Sequence, residues 1–505
     1  MKRSTVYYLS FGILLGFLLY VSALFLVGYH LGYGFPDGQF HPRAYLPLLL
    51  SLLFLGVLHW MVMRRSPDIF VNLKSIGVVA LSVLPGVLFA VLVMGAVGSF
   101  CFNWAWEKAV KEGYALEEPP PGNADTSDDN AVVWLNRSRD DLNKSVDKGD
   151  KDESMKLSKV LAKANEGSVT KADMAYVRVI IKGHRQGMDL LRRSARCKVV
   201  NWEPCDYGGI GEQPLFAHLL KGSKLLVCSA VLAKSEGRFS DAAQDLKVAA
   251  FLADATSRTD FLIGEMVGIA EYNIYCNGVQ CCLADKPRQN PDTTWITGTV
   301  DPDRIVKGLY QSLSMEYMLW RKSLTTNALK SYKSRPAKIL SWFIRPYLYL
   351  DTFTGIWEGR KVMASFKNPY PVFEQDYQAA ERDYQNNAWV ISVIALPKFD
   401  KMFVKALACS TRLKTMRLAC TARIYRGKYG AWPAQVDDLG KAGLKPDDWA
   451  DPFTLGKIRM IHDGGYLVFY SPGPDLQDEQ GRTPFEIKQM KGDLAFRVPL
   501  VVIGK

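Results

Sequence analysis

The first 105 residues hold three long stretches without Asp, Glu, Lys or Arg: Val6–Tyr29, Tyr45–Met63 (which contains His59) and Ile76–Phe102, of 24, 19 and 27 residues. A helix needs ~20 apolar residues to cross the hydrocarbon core of a bilayer, so each stretch predicts a transmembrane helix. No small-x-small cleavage pattern follows the first, and two more stretches come after it, so it is expected to stay in place as an anchor. Gly12, Gly16, Gly28, Gly77, Gly86, Gly95, Gly98 and Pro85 sit inside these runs, where small residues let membrane helices approach closely. The 400 residues beyond are of mixed polarity. The mean hydropathy of −0.04 therefore averages an apolar anchor with an ordinary polar region.

Orientation follows from the short connections. Lys2 and Arg3 precede the first run, and Arg64, Arg65 and Lys74 lie between the second and third, while the His30–Ala44 connection carries only Arg43 and Asp37. Basic loops stay in the cytoplasm. The N-terminus is thus expected inside a bacterial inner membrane and everything after about Trp104 in the periplasm. Nine cysteines are compatible with that oxidising compartment. Cys197 and Cys205, which bracket a polar turn, form the candidate disulfide. No zinc-type Cys/His spacing is present.

Glu117–Asp129 is a proline, glycine and acid cluster that reads as a linker. From Asn130 to about Asn386 the apolar period is helical. Phe216–Ser235 and Ser240–Ala255 form the clearest pair, joined through Gly237 and Phe239, with Ser240 as expected N-cap. That grammar resembles one tetratricopeptide-like helix pair. The 34-residue repeat does not recur, so a helical bundle containing one such pair is the reading adopted. Further helices are expected over Phe261–Leu283 and Asp303–Tyr332. Ile339–Trp357 is aromatic and apolar but interrupted by Arg345 and Pro346. Two readings stand for it: packing within the bundle, or lying along the membrane surface.

Pro397–Lys428 predicts one long helix, with Met402, Ala406, Cys409, Leu413, Met416, Cys420 and Ile424 as a narrow apolar stripe. Its other faces carry nine Lys or Arg side chains against Asp400 alone. Much of the chain's net charge of +12 is therefore concentrated here. A solvated face is one explanation; the other is contact with anionic lipid or an acidic protein through Lys405, Arg412, Arg417 and Arg423. Nucleic acid is not expected as a partner, because no recognition motif accompanies the charge. Strands are expected over Lys457–His462, Tyr466–Ser471 and Leu494–Leu500, the first two joined by an Asp463-Gly464-Gly465 turn. A long helix covered by a small antiparallel sheet is an α+β layer.

The segments RIYRGKYGAWPAQVDDL, DPF, GGYLVFYSPGPD and GDLAF, in that order, resemble the globular domain of the G-type major pseudopilin of type II secretion. Ile391–Phe399 is similar to the pilin helix below its membrane stretch. The resemblance covers about 115 residues. It implies calcium held near Ser471, Asp475, Asp478 and Asp493, since calcium takes six to eight oxygen ligands. The leader, Gly cleavage site and Glu of that family do not precede the segment, so a pilin-like domain on another anchor is implied. The layout of the whole chain also resembles membrane-anchored proteins of planctomycete-like bacteria.

Six histidines, His30, His41, His59, His184, His218 and His462, show no i, i+4 pair. Neither GxSxG nor a phosphate-binding loop is present. Glu203, Asp206 and Glu212 read as a solvated acidic loop. The expectation is a multi-domain, non-enzymatic protein: three transmembrane helices (1–105), a linker (106–129), an all-α, partly tetratricopeptide-like domain (130–386) and a pseudopilin-like α+β domain (387–505). Its expected role is a membrane-anchored scaffold that binds the lipid bilayer and an envelope protein partner, linked to a type II secretion-like system. An envelope sensor with a ligand in the helical domain is the alternative, and an unrecognised hydrolase the third reading.

Overall fold

The computed structural model describes residues 3–32, 73–114, 127–146, 153–202, 216–259, 261–283, 300–322, 335–387, 399–486 and 489–500. In chain order its helices are α1 (Arg3–Gly32), α2 (Leu73–Lys111), α3 (Ala131–Arg137), α4 (Arg139–Asn143), α5 (Glu153–Asn165), α6 (Lys171–Gly183), α7 (Arg185–Ser194), α8 (Ala217–Ser235), α9 (Phe239–Ser257), α10 (Leu262–Leu283), α11 (Pro302–Lys322), α12 (Arg335–Ser365), α13 (Tyr370–Asn387) and α14 (Phe399–Tyr429). The strands are β1 (Arg459–Asp463), β2 (Tyr466–Ser471) and β3 (Leu494–Pro499). Two compact units result: Met1–Glu117 with Tyr317–Ser365 and Asp376–Pro397, and Glu118–Glu316 with Phe366–Gln375 and Lys398–Lys505. They cut the chain differently from the boundaries 130–386 and 387–505, because α12 joins the N-terminal unit and the C-terminal sheet joins the helices of the second.

In the first unit, α1 and α2 run parallel. Contacts advance in step along both: Gly12 faces Val79 and Ser82, Gly16 faces Val83 and Val87, and the Phe17 and Phe89 rings meet at a tilt with centroids 5.9 Å apart. A side chain at Gly16 would collide with the Val83 carbonyl and one at Gly86 with that of Ile13, which is why glycine occupies both positions. Among the described residues, one helix, Val78–Lys111, is long and apolar enough to cross a membrane. Its Leu81, Leu84, Leu92 and Phe100 are exposed. The α1 helix contributes a shorter apolar stretch, Tyr7–Ala23, and Tyr45–Met63 lies outside the described residues.

Ile339–Trp357 falls within α12, which runs parallel to the C-terminal half of α2. Pro346 meets Gly95, Tyr349 meets Gly98 and Phe102, and Trp357 stacks on Trp104 at 5.0 Å. Lys108 sits 4.7 Å above the Trp357 ring and Arg360 at 4.1 Å. Amphipathic rings with basic tips are the side chains that collect at a membrane–water boundary.

The second unit is built around α14. The helix expected over Pro397–Lys428 is present, but its apolar stripe is not narrow. Buried residues run around most of its circumference, including Ser410, Thr411, Thr415 and Thr421. Hydroxyls make this possible by donating to their own helix, Thr411 to the Leu407 carbonyl at 2.8 Å and Thr421 to that of Arg417 at 2.9 Å. One side of α14 carries the antiparallel sheet in the order β1-β2-β3. Asp463 pairs with Tyr466 across Gly464 and Gly465, whose φ values of +54° and +87° suit a two-residue hairpin. The layer of α8, α9 and α10 packs against another side through α10.

The helix pair read as tetratricopeptide-like is α8 and α9. Gly237 ends α8 at φ +77°, with Arg238 N donating to the Ala233 carbonyl and Gly237 N to that of Lys234, the bonding of a Schellman cap. The second helix starts at Phe239, so Ser240 is already inside it and its N-cap is Arg238. Aromatic rings of Phe366, Phe373 and Phe403, with centroids 4.2–5.4 Å apart, close the unit beside Tyr370 and Phe453.

Candidate functional site

One recess in the second unit starts from a single asparagine. Asn130 donates through Nδ2 to the Asn201 carbonyl at 2.8 Å and accepts from Asn201 N at 3.0 Å. Ala131 N adds a 2.9 Å bond to the Val199 carbonyl. These bonds staple the turn before α3 to the chain after α7. Between them opens a cleft of about 550 Å³ lined by Asp128, Asp129, Trp134, Asp189, Arg192, Arg193, Arg196 and Cys197. A second recess of about 580 Å³ shares Asp189 and Arg193 and adds Lys182, Arg185 and Gln186.

Trp134 is buried, and its Nε1 donates to the Asp128 carbonyl at 2.8 Å. The Arg193 guanidinium lies over its ring at 3.6 Å and that of Arg137 at 4.5 Å. Arg192 is neutralised by Asp245 and Asp189, both at 2.9 Å. Arg137 pairs with Asp128 at 3.2 Å. Among the described residues, Arg193 and Arg196 form no ion pair. Asp129 accepts a long bond from Lys198 N at 3.5 Å. Burial, with Asp129 close by, pushes the Cys197 thiol up from its ordinary value.

The four basic residues expected to form an interaction surface lie elsewhere, on α14, and three of them face inward. Arg412 donates to Asn273 at 3.2 Å and also to Asn277. Arg417 pairs with Asp448 at 2.8 Å, and Arg423 donates to the Leu283 carbonyl at 2.6 Å. Lys405 is half-buried. Lys414, which the sequence would place on the same basic face, is buried and pairs with Asp303 at 3.1 Å. Neighbouring helices and turns supply the acceptors that let these cations leave water. An open basic face does not form here.

Ser471, Asp475, Asp478 and Asp493 do not converge on one point. Ser471 Oγ donates to Asp451 at 2.9 Å, and Asp475 accepts from Gly492 N at 3.0 Å. Asp478 pairs with Arg459 and accepts from Gln480 N at 2.9 Å, and Asp493 accepts from Gly481 N at 2.6 Å. Burial, with Glu479 nearby, raises Asp493 to about 7. Each of the three carboxylates accepts a backbone N–H of a turn, and among the described residues no three His, Cys, Asp or Glu side chains are arranged to hold a metal ion. These residues do not fit a calcium ion.

Cys197 is a free, half-buried thiol, and Cys205 lies outside the described residues, as do Glu203, Asp206 and Glu212. Cys228, Cys276, Cys281, Cys282, Cys409 and Cys420 are buried free thiols, so packing accounts for them. His184, unremarkable in the sequence, is fully buried between the Asp141 carbonyl and Glu153 Oε2, each at 3.0 Å. Lys221 also reaches Glu153 at 2.9 Å. No local spacing announces this cluster, because Asp141, Glu153, His184 and Lys221 come from four separate segments.

No known protein family matches the chain, and no curated protein or solved structure is similar to it. The geometry above is therefore the ground for any functional reading.

Proposed function

We propose that the protein is a membrane-anchored, partner-binding component of a bacterial envelope rather than an enzyme. The observation that carries this is the parallel packing of α1 and α2. Two parallel helices joined through the chain need a return crossing between them, and the uncharged run Tyr45–Met63 is long enough to supply it. Three crossings then place the chain beyond Lys111 opposite the N-terminus. Exposed Leu81, Leu84, Leu92 and Phe100 on α2 give the bilayer an apolar surface. The Trp104, Trp357 and Lys108 cluster marks its outer boundary.

In this reading the second unit is displayed in the periplasm. Its long helix under a three-stranded antiparallel sheet supports the pseudopilin-like interpretation, and through it a link to a type II secretion-like apparatus. The recesses along α7 are open and charged, so an apolar signal molecule does not suit them.

Reporter fusions test the anchoring. Alkaline phosphatase joined after Gly113 should be active and a fusion at Lys74 inactive, with green fluorescent protein giving the reverse. Activity at both positions, or at Lys74 alone, would sink the topology.

A further inference from the structure

We infer that the cleft between α3 and α7 binds a small organic anion through Arg193 and Arg196, the ligand carrying at least one carboxylate or phosphate group. Arg192 is taken by Asp245 and Asp189, and Arg137 by Asp128. Among the described residues, the guanidinium groups of Arg193 and Arg196 remain without an ion pair, and of the three carboxylates lining the cleft, Asp128, Asp129 and Asp189, Asp129 alone has no cation paired with it.

Arg193 is also oriented in advance. Its face rests on the buried Trp134 ring at 3.6 Å, which holds the guanidinium plane and leaves its in-plane N–H groups for a ligand. A planar fork of donors held in that way matches an oxyanion edge-on, in two parallel hydrogen bonds. Trp134 is itself fixed by its bond to the Asp128 carbonyl and by the Asn130 staple behind it. Holding the receptor geometry before binding reduces the ordering cost.

Size and charge set the ligand class. About 550 Å³ lies in the range of small-molecule sites. The neighbouring recess shares Arg193 and adds Lys182 and Arg185, the latter already loosely paired with Asp189 at 3.9 Å, so Lys182 is the cation there that a second anionic group on the ligand would meet. Asp129 disfavours a third.

The inference does not depend on membrane topology, so its failure and that of the anchoring proposal are separable. Full-length protein in an uncharged detergent at low salt would be titrated calorimetrically with inorganic phosphate and, separately, with succinate. Saturable binding of at least one is expected, weakening at least tenfold in Arg193→Met/Arg196→Met and unchanged in Lys159→Gln on α5. A response to phosphate alone assigns a phosphate ester, and to succinate alone a carboxylate. Both replaced arginines are exposed, so the double variant is expected to fold. As a second readout, the anion should slow alkylation of Cys197, measured peptide by peptide. Absence of both saturable heat and Cys197 protection, or equal affinity in the double variant, would overturn the inference.

Discussion

Gln280 on α10 grips the main chain of Arg497 on β3 from both directions, donating to its carbonyl at 2.8 Å and accepting from its N–H at 3.1 Å. The strand order leaves β3 at an edge of the sheet, and an edge strand exposes unpaired backbone groups. One amide side chain satisfies two of them and thereby joins the helical layer to the sheet. Replacing Gln280 with Ala strands a donor and an acceptor, with an expected cost of about 1–3 kcal/mol. Urea unfolding monitored by circular dichroism measures it; a loss below about 0.3 kcal/mol would show that water replaces the amide without penalty.

Arg417 and Asp448 provide a test of the inward-facing α14. Arg417→Met should destabilise the second unit by about 1–2 kcal/mol, since Asp448 loses a partly buried partner. A double-mutant cycle with Asp448→Asn should return a coupling of about 0.5 kcal/mol or more. Independent, additive effects would restore the picture of a solvated basic face.

Glu265 and Glu271, both buried on α10, make stability depend on pH. Burial raises each to about 8, with Arg304 opposing the rise at Glu265 and the hydroxyls of Thr256 and Ser223 opposing it at Glu271. The folded state holds these protons above the ordinary carboxyl value, where the unfolded chain has released them. Their contribution is therefore fully present below about pH 4.5 and is lost as pH rises towards about 8. Glu271→Gln should flatten that decline and raise stability at pH 8 by about 1 kcal/mol or more. Unfolding midpoints across pH 5–8 that decline equally in both proteins would contradict the assignment.

Close approach of α1 and α2 predicts a strong effect of a small change. Gly12 and Gly16 lie four residues apart on the face of α1 that meets α2, the small-xxx-small arrangement. Gly16→Leu should separate the helices and lower the thermal midpoint in detergent. A cysteine pair at Phe17 and Phe89, cross-linked in the parent, should fail to cross-link in that variant. Unaltered cross-linking would show that the helices do not meet at Gly16.

Much of the local structure was legible because its causes are local. Gly464 and Gly465 announce the hairpin by the positive φ values it needs, and the period of apolar residues outlines α8, α9 and α14. The N-cap of α9 was misplaced by two residues because Gly237 and the carbonyls of α8 decide where that turn ends. Arg412, Arg417 and Arg423 were misread for a different reason. A basic residue on a helix looks solvated until Asn273, Asp448 and the Leu283 carbonyl, all remote in sequence, are brought to it. The cleft was not legible either, since Asp128, Trp134 and Arg193 come together only through Asn130 and the residues it binds after α7.

What the sequence determined by itself was the presence of long apolar stretches near the N-terminus, the helical character of most of the rest and the small sheet near the end. Backbone hydrogen bonding and apolar burial are satisfied within or between neighbouring segments, so their patterns repeat along the chain. Tertiary structure decided where charge goes: which cations are sealed inside, which carboxylates tie turns, and that Arg193 and Arg196, among the described residues, stand without an ion pair beside a cleft. Coulombic and hydrogen-bond partners are chosen by distance in space, and a linear order of residues does not contain that distance.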